Sequence, residues 1–257
     1  MHIAVVLRLV PDMAEDIEIA ESGQDIDREW IGMKLNEFDD HALEEAILLK
    51  EHAGATVTAL ALDGEGVDRM LQAAVARGAD RIAKIAHDAL PPLLAAGPAA
   101  RLVAEAVRQI GADLVLTGVQ TPEDLGGQLA ATLGAVLDWP HLSAVAGVQR
   151  RNDGLAVRQE HSGGHATRVL VTPPAVLGIQ TASQPPRYVS GSKLRQAMGA
   201  KAEEIAGTTP DAPAAAVHTL APPPSTGGAV MWDGEAEAVA DQFIALLRDR
   251  GLLKRTA

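Results

Sequence analysis

Apolar and polar positions along this chain alternate between two periods. Short, nearly continuous apolar runs, His2 to Val10, Thr56 to Leu62, Arg81 to Ala86, Leu114 to Gly118 and Ala175 to Gln180, read as strands buried on both faces. Between them apolar residues recur at helical spacing. Ala42, Leu43, Ala46, Ile47 and Leu49 follow Asn36, which predicts a helix capped by Asn36 with Asp39 at its third position. Val67 to Ala76 is a second helix. A third, with Leu102, Val103, Ala106, Val107 and Ile110, follows Pro91 and Pro92. A fourth carries Leu129, Leu133, Val136 and Leu137 and stops at Asp138-Trp-Pro140. Twice, at 78–80 and 111–113, Gly-Ala-Asp ends a helix and opens a strand. Strands and helices in this order predict an α/β fold, a Rossmann-like open and mostly parallel sheet with right-handed crossovers.

The pattern changes after Pro140. Ser143 to Gln149, Leu155 to Glu160 and Thr167 to Leu170 are short strand candidates joined by Asn152-Asp-Gly154 and Ser162-Gly-Gly164, which predicts antiparallel strands added to the sheet edge. Residues 12–35 are acidic and weakly patterned, with room for a short hairpin. Gln184-Pro-Pro-Arg-Tyr188 begins an irregular region that leads to a basic helical piece around Lys193 to Lys201. Thr208 to Gly228, rich in proline, alanine and small polar residues, predicts an extended arm, and Glu235 to Arg250 a last amphipathic helix. The expected division is 1–190 as an α/β domain, 191–207 as a helical loop region, and 208–257 as arm and C-terminal helix. That helix has two destinations open to it, its own sheet or a partner subunit.

Composition narrows the chemistry. With 257 residues the chain can bury a large core, and a formal net charge of -12, from 34 acidic and 22 basic residues, argues against nonspecific binding to nucleic acid or anionic membrane. Absence of cysteine excludes disulfides, thiolate metal sites and cysteine nucleophiles. Met1 leads straight into a strand-like run with no basic region before it, and no span approaches the ~20 apolar residues of a membrane helix, so a cytoplasmic location is expected. The histidines form no obvious ligand set. His161 and His165 flank Ser162-Gly-Gly164 as the two sides of a hairpin would, without a third ligand near them in sequence. No GxSxG, HExxH, GxGxxG or GxxxxGK[ST] pattern is present.

What remains is the run from Gly118 to Pro140, a strand end, a polar glycine-bearing loop and a helix in succession. Backbone N–H groups without internal partners and the helix dipole favour an anion at such a helix start. Gly126 and Gly127 leave the backbone open to approach, and Gln128 can add a side-chain donor. With no lysine in the loop, one phosphate is a better occupant than a β,γ pair. An ordinary strand-to-helix turn with glycines serving geometry alone fits the same pattern. Asp63, Glu123 and Asp124 stand at carboxyl ends of strands, where open sheets place ligands. Asp124 can either cap the following helix or accept a ligand hydrogen bond.

Several ordered segments together resemble the beta subunit of electron transfer flavoproteins: Leu7-Arg-Leu-Val-Pro-Asp12, Leu35 to Ala46, Arg77-Gly-Ala-Asp80, Gly118 to Pro140, and Pro186-Arg-Tyr188. The resemblance runs from residue 1 to about 200. It implies an adenine nucleotide alpha hydrolase-like sheet, a heterodimer with an alpha subunit that holds most of a redox-active FAD, and AMP, or in bifurcating relatives a second FAD, in the beta subunit. It implies an electron carrier without bond-making catalysis of its own. The implied cofactor-binding positions are Arg8, Leu62, Asp63, Gly64, Gly118, Gln120, Asp124, Gly126, Gly127, Gln128 and Leu129, with Phe38 approaching the flavin ring. The stretch after Tyr188 matches a loop that docks a donor dehydrogenase, and the arm would embrace the alpha subunit. The acceptor side would be a membrane or soluble partner such as a quinone oxidoreductase. Three departures stand out in the phosphate region: Val119, Gly127 and Leu129 replace the family's lysine, asparagine and threonine. Gly191 replaces the docking leucine, which points to a flavin-dependent dehydrogenase other than a typical acyl-CoA dehydrogenase. Two other readings are a stand-alone adenine nucleotide binder of the universal-stress-protein type and a nucleotide-cleaving enzyme, for which no metal site or basic clamp is visible.

Overall fold

A computed structural model describes residues 1–87, 96–208, 217–224 and 227–253. The apolar runs become the centre of a nine-stranded sheet. In chain order they are β1 (His2–Val6), β4 (Thr56–Leu62), β5 (Arg81–Ala86), β6 (Leu114–Gly118) and β10 (Ala175–Ile179), all paired in parallel. Two short strands, β2 (Leu9–Pro11) and β3 (Met33–Leu35), form a separate antiparallel ribbon. The antiparallel extension is β7 (His141–Arg151), β8 (Gly154–Glu160) and β9 (Ala166–Val171), with β7 parallel to β10. With β11 (Glu203–Ala206) at the far edge, the order is β11-β5-β4-β1-β6-β10-β7-β8-β9. The chain first runs outward from β1 to β4 and β5, then returns to β6 on the other side of β1. That reversal is the switch point at which open α/β sheets leave a crevice above their strand ends.

Helices cover both faces. α1 (Glu37–Ala53) and α2 (Val67–Arg77) pack on one side, with Leu43, Ile47 and Leu71 fully or almost fully buried against Ile3, Val5 and Val57. α3 (Ala96–Ile110) and α4 (Leu129–Leu137) pack on the other, where Leu102, Val107 and Leu133 meet Ala4, Leu60 and Val115. This two-sided burial explains why the central strands carry no alternation.

The expected strand from His2 to Val10 is broken. Leu7 N–H still donates to Leu60 O at 2.8 Å, but the next amide, Arg8 N–H, donates to the Asp39 carboxylate at 2.9 Å and leaves the sheet. The chain then joins the β2–β3 ribbon. Asn36 holds the cap position of α1 without a side-chain cap bond; its Nδ2 instead donates to Gln120 O at 3.0 Å, and Asp39 is drawn into the structure rather than into a capping box. The hairpin within 12–35 is present as the Ile19–Ile26 antiparallel bridge. β11 lies in the stretch expected to be helical loop, where the helix α5 (Gly191–Ala197) is shorter than the basic run suggested. Only Ile205 of β11 is buried, too brief a pattern to read as a strand. Pro91 and Pro92 fall outside the described residues, as do 209–216 and 225–226 of the expected arm.

The chain divides into two units, Met1–Leu220 and Ala221–Ala257. In the second, α6 (Ala236–Asp249) has no buried residue, and Trp232 meets Phe243 edge-on with ring centroids 6.3 Å apart.

On α1, carboxylates receive cations from distant segments. Arg187 grips Glu44 with Nε and Nη2 at 3.0 and 2.8 Å and Glu51 with Nη1 at 2.6 Å, while its N–H donates to Glu44 Oε2. Glu44 is buried; Glu51 is exposed, and its pairing with Arg187 holds its carboxyl below the usual range. Burial pushes the neighbouring Glu45 up, although Val148 N–H, Ser183 N–H and Ser183 Oγ all donate to it. Arg187→Met would leave Glu44 buried without its cation and should cost about 3 kcal/mol by urea unfolding, since removal of one partner from a buried pair exposes the other's desolvation. Because Glu51 is depressed in the fold, its share is present above about pH 4.5 and is lost as pH falls through the folded value. The gap between wild type and Arg187→Met should therefore narrow on acidification.

Candidate functional site

The crevice at the switch point is organised by one buried carboxylate. Asp39, in the first turn of α1, is fully buried and accepts from Arg8 N–H and Nε at 2.9 Å, Arg8 Nη2 at 2.7 Å and Gly118 N–H at 2.7 Å. Arg8 Nη2 also donates to Gly118 O at 3.1 Å. The ends of β1 and β6 are thereby locked to a helix start, where a negative charge is also favoured by the dipole. A Cβ on Gly118 would lie 2.4 Å from Asp39 Oδ1, so glycine here serves the approach of α1 to the sheet.

At the ends of β1 and β4, beside the loop that follows β6, lies a cavity of about 820 Å³. Of the sequence-derived positions, Arg8, Leu62, Asp63, Gly64, Asp124 and Leu129 line it, and Phe38, Gly118, Gln120, Gly126, Gly127 and Gln128 lie outside its lining. Phe38 is half-buried in the first turn of α1. Several residues that the sequence did not single out complete the wall: Arg28, Ile31, Gly66, His87 and Val103. Arg28 Nη2 donates to Glu123 Oε1 at 2.6 Å and its Nε to Asp25 Oδ2 at 3.0 Å, tying the 12–35 segment to the loop before α4. No periodicity marks that segment, so only its charge could have hinted at such a tie. His87 Nε2 lies 3.0 Å from Asp63 O.

The start of α4 already carries an anion from within the chain. Asp124 Oδ2 accepts from Gln128 N–H at 3.0 Å and Leu129 N–H at 3.3 Å, and Thr121 Oγ1 accepts from Asp124 N–H at 2.9 Å. Asp124 thereby acts as an acceptor for the first amides of α4. Gly127 has φ 59°, and a Cβ there would fall 2.5 Å from Val119 O, so its glycine is set by backbone geometry. At Gly126 a Cβ would meet only the Gln128 side chain at 3.5 Å, ordinary contact. At the β8–β9 turn, His161 Nε2 sits 3.0 Å from Thr167 Oγ1. Among the described residues no group of three or more His, Cys, Asp or Glu side chains is gathered to hold a metal ion.

Residues 25–213 match the family described as the electron transfer flavoprotein domain, most of the chain. Electron transfer flavoprotein subunit beta of Methylophilus methylotrophus is 32% identical over 211 residues, covering 80% of this chain and 79% of that one. The chain belongs to the electron transfer flavoprotein beta-subunit family. The Bacillus subtilis beta subunit is 27% identical over 259 residues, 96% of this chain and 98% of that one. The mitochondrial beta subunit of Oryza sativa subsp. japonica is 30% identical over 214 residues, 82% and 83%. Electron transfer flavoproteins carry electrons, and this beta subunit has no described helix long and apolar enough to cross a membrane.

The segments that carry the resemblance meet on α1 of this beta subunit. Arg8 pairs with Asp39, Arg77 with Asp40 and Arg187 with Glu44. Three sequence-distant motifs thus converge on the first two turns of one helix. Gly118→Ala should lower stability by roughly 1–3 kcal/mol through overpacking against Asp39, whereas Gly126→Ala should stay within about 0.5 kcal/mol, measured by thermal unfolding of the two variants side by side.

Proposed function

We propose that this beta subunit pairs with an alpha subunit, helps enclose the FAD that the alpha subunit holds, and binds AMP in its own crevice as a structural ligand. The observation that carries this is the cavity at the ends of β1 and β4, beside the loop that follows β6: its size suits a nucleotide, and it lies where open sheets receive one. Ile31, Leu62, Val103 and Leu129 offer an apolar wall for a purine, and Asp63 with the backbone of Gly64 offers polar groups for a ribose. These residues fit an adenosine. Ligand bridging of β1, β4 and the loop before α4 would stabilise the folded form by mass action.

FAD, when bound, supplies the redox chemistry of such a pair. The contribution of this chain is placement. Phe38 and the locked ends of β1 and β6 would form a rigid wall toward the flavin, and the role of the chain is that of a carrier subunit, not of a catalyst. The unburied apolar side of α6 supports the reading of 208–257 as an arm that packs on the alpha subunit. Tyr188, 91% exposed, and α5, which begins at Gly191, form the surface for a donor. Without an apolar anchor at Gly191, that donor is a flavin-dependent dehydrogenase other than a typical acyl-CoA dehydrogenase. A quinone oxidoreductase or similar protein takes the electrons onward.

Co-expression with the alpha subunit, followed by identification of every released nucleotide, tests the proposal. A yellow heterodimer that releases FAD and AMP is the expected outcome. A colourless, tight homodimer that ignores the alpha subunit would instead identify a stand-alone adenine nucleotide binder of the universal-stress-protein type.

A further inference from the structure

Resting on the reading of the crevice as an adenine nucleotide site, we infer that its adenosine half carries the binding and that the phosphate gains nothing there. The argument is electrostatic. Carboxylates of Asp25, Glu29, Asp63, Glu65, Glu123 and Asp124 line the cavity, against two arginines and one histidine, with Lys84 Nζ 3.5 Å from Asp63 Oδ1 as a further cation already engaged. Both arginines already serve carboxylates: Arg8 is bound bidentately by Asp39, and Arg28 bridges Asp25 and Glu123. No lysine lines the cavity among the described residues, and residues 88–95 contain no Lys, Arg or His.

The usual alternative to a cation is a set of free helix-start amides, and here Asp124 holds two of them. A phosphate brought to the same place would face that carboxylate and Glu123 next to it. Leu129, 4% exposed and lining the cavity, supplies no side-chain donor. A phosphomonoester near neutral pH carries about -1.5 to -2 charges and needs positive or N–H partners to leave water. The purine and ribose meet no such cost, because the apolar wall and the polar groups around Asp63 are available to them. The ligand class selected is therefore a neutral purine nucleoside, with AMP tolerated through its adenosine half.

Calorimetric titration of the nucleotide-free heterodimer with adenosine and with AMP tests this. Adenosine should bind within about threefold of AMP or more tightly, and added salt, which screens like-charge repulsion, should improve AMP relative to adenosine. Asp124→Asn keeps a capping oxygen without the charge, and Asp124→Gly frees the amides. Both should raise AMP affinity severalfold relative to adenosine measured on the same variant, the glycine variant more, and thermal melts confirm that each is folded. AMP binding tenfold or more tighter than adenosine to the wild type, or weakened relative to it by salt, overturns the inference and leaves the nucleotide reading intact. An absence of AMP gain in both folded variants overturns it as well. If neither compound binds, the nucleotide reading falls and this inference with it.

Discussion

One buried carboxylate sets the geometry on which the crevice depends. Asp39 has no access to water, and a carboxylate in that state costs several kcal/mol unless it is paired and hydrogen-bonded. Its partners come from the ends of two adjacent strands, Arg8 after β1 and Gly118 at the end of β6. Because Arg8 spends its backbone amide on Asp39, β1 cannot continue, and the chain turns aside into the β2–β3 ribbon. The strand break, the close approach of α1 at Gly118 and the floor of the crevice are consequences of a single charge being satisfied.

The same helix extends this logic along its length. Asp40, Glu44, Glu45 and Glu51 take their partners from Arg77, Arg187 and the 148 and 183 amides. Segments that resemble the family one by one are, in space, one assembly around α1.

Much of the fold was legible because two-sided burial writes itself into sequence as unbroken apolar runs and helical stripes. Asn152-Asp-Gly154 likewise announced the β7–β8 turn. The losses have physical causes. β1 was read too long because Leu9 and Val10 are as apolar as the strand before them, and only a contact with Asp39, remote in sequence, ends it. Asn36 and Asp39 have the residue types of a capping box, yet tertiary partners outbid the local ones. Of the residues that line the crevice, Asp63, Glu123 and Asp124 are marked in the sequence by their positions at strand ends, and Arg8 and Gly64 only by the resemblance, whereas Arg28 and Ile31 sit in an acidic, aperiodic stretch. Glycines 118 and 127 are held by close packing, since a Cβ on either would run into Asp39 or Val119, and that constraint is not visible in the sequence.

The reach of the α1 clamps also bears on how the chain is made. Arg187 lies 143 residues after Glu44 in sequence, so a nascent polypeptide has its helix and four central strands long before the cation for Glu44 leaves the ribosome. Until then the helix carries a charge it cannot bury, and its outer turns must stay hydrated. Closure of this side of the protein is postponed to a late, long-range event of the kind that slows folding and leaves apolar surface open to chaperones.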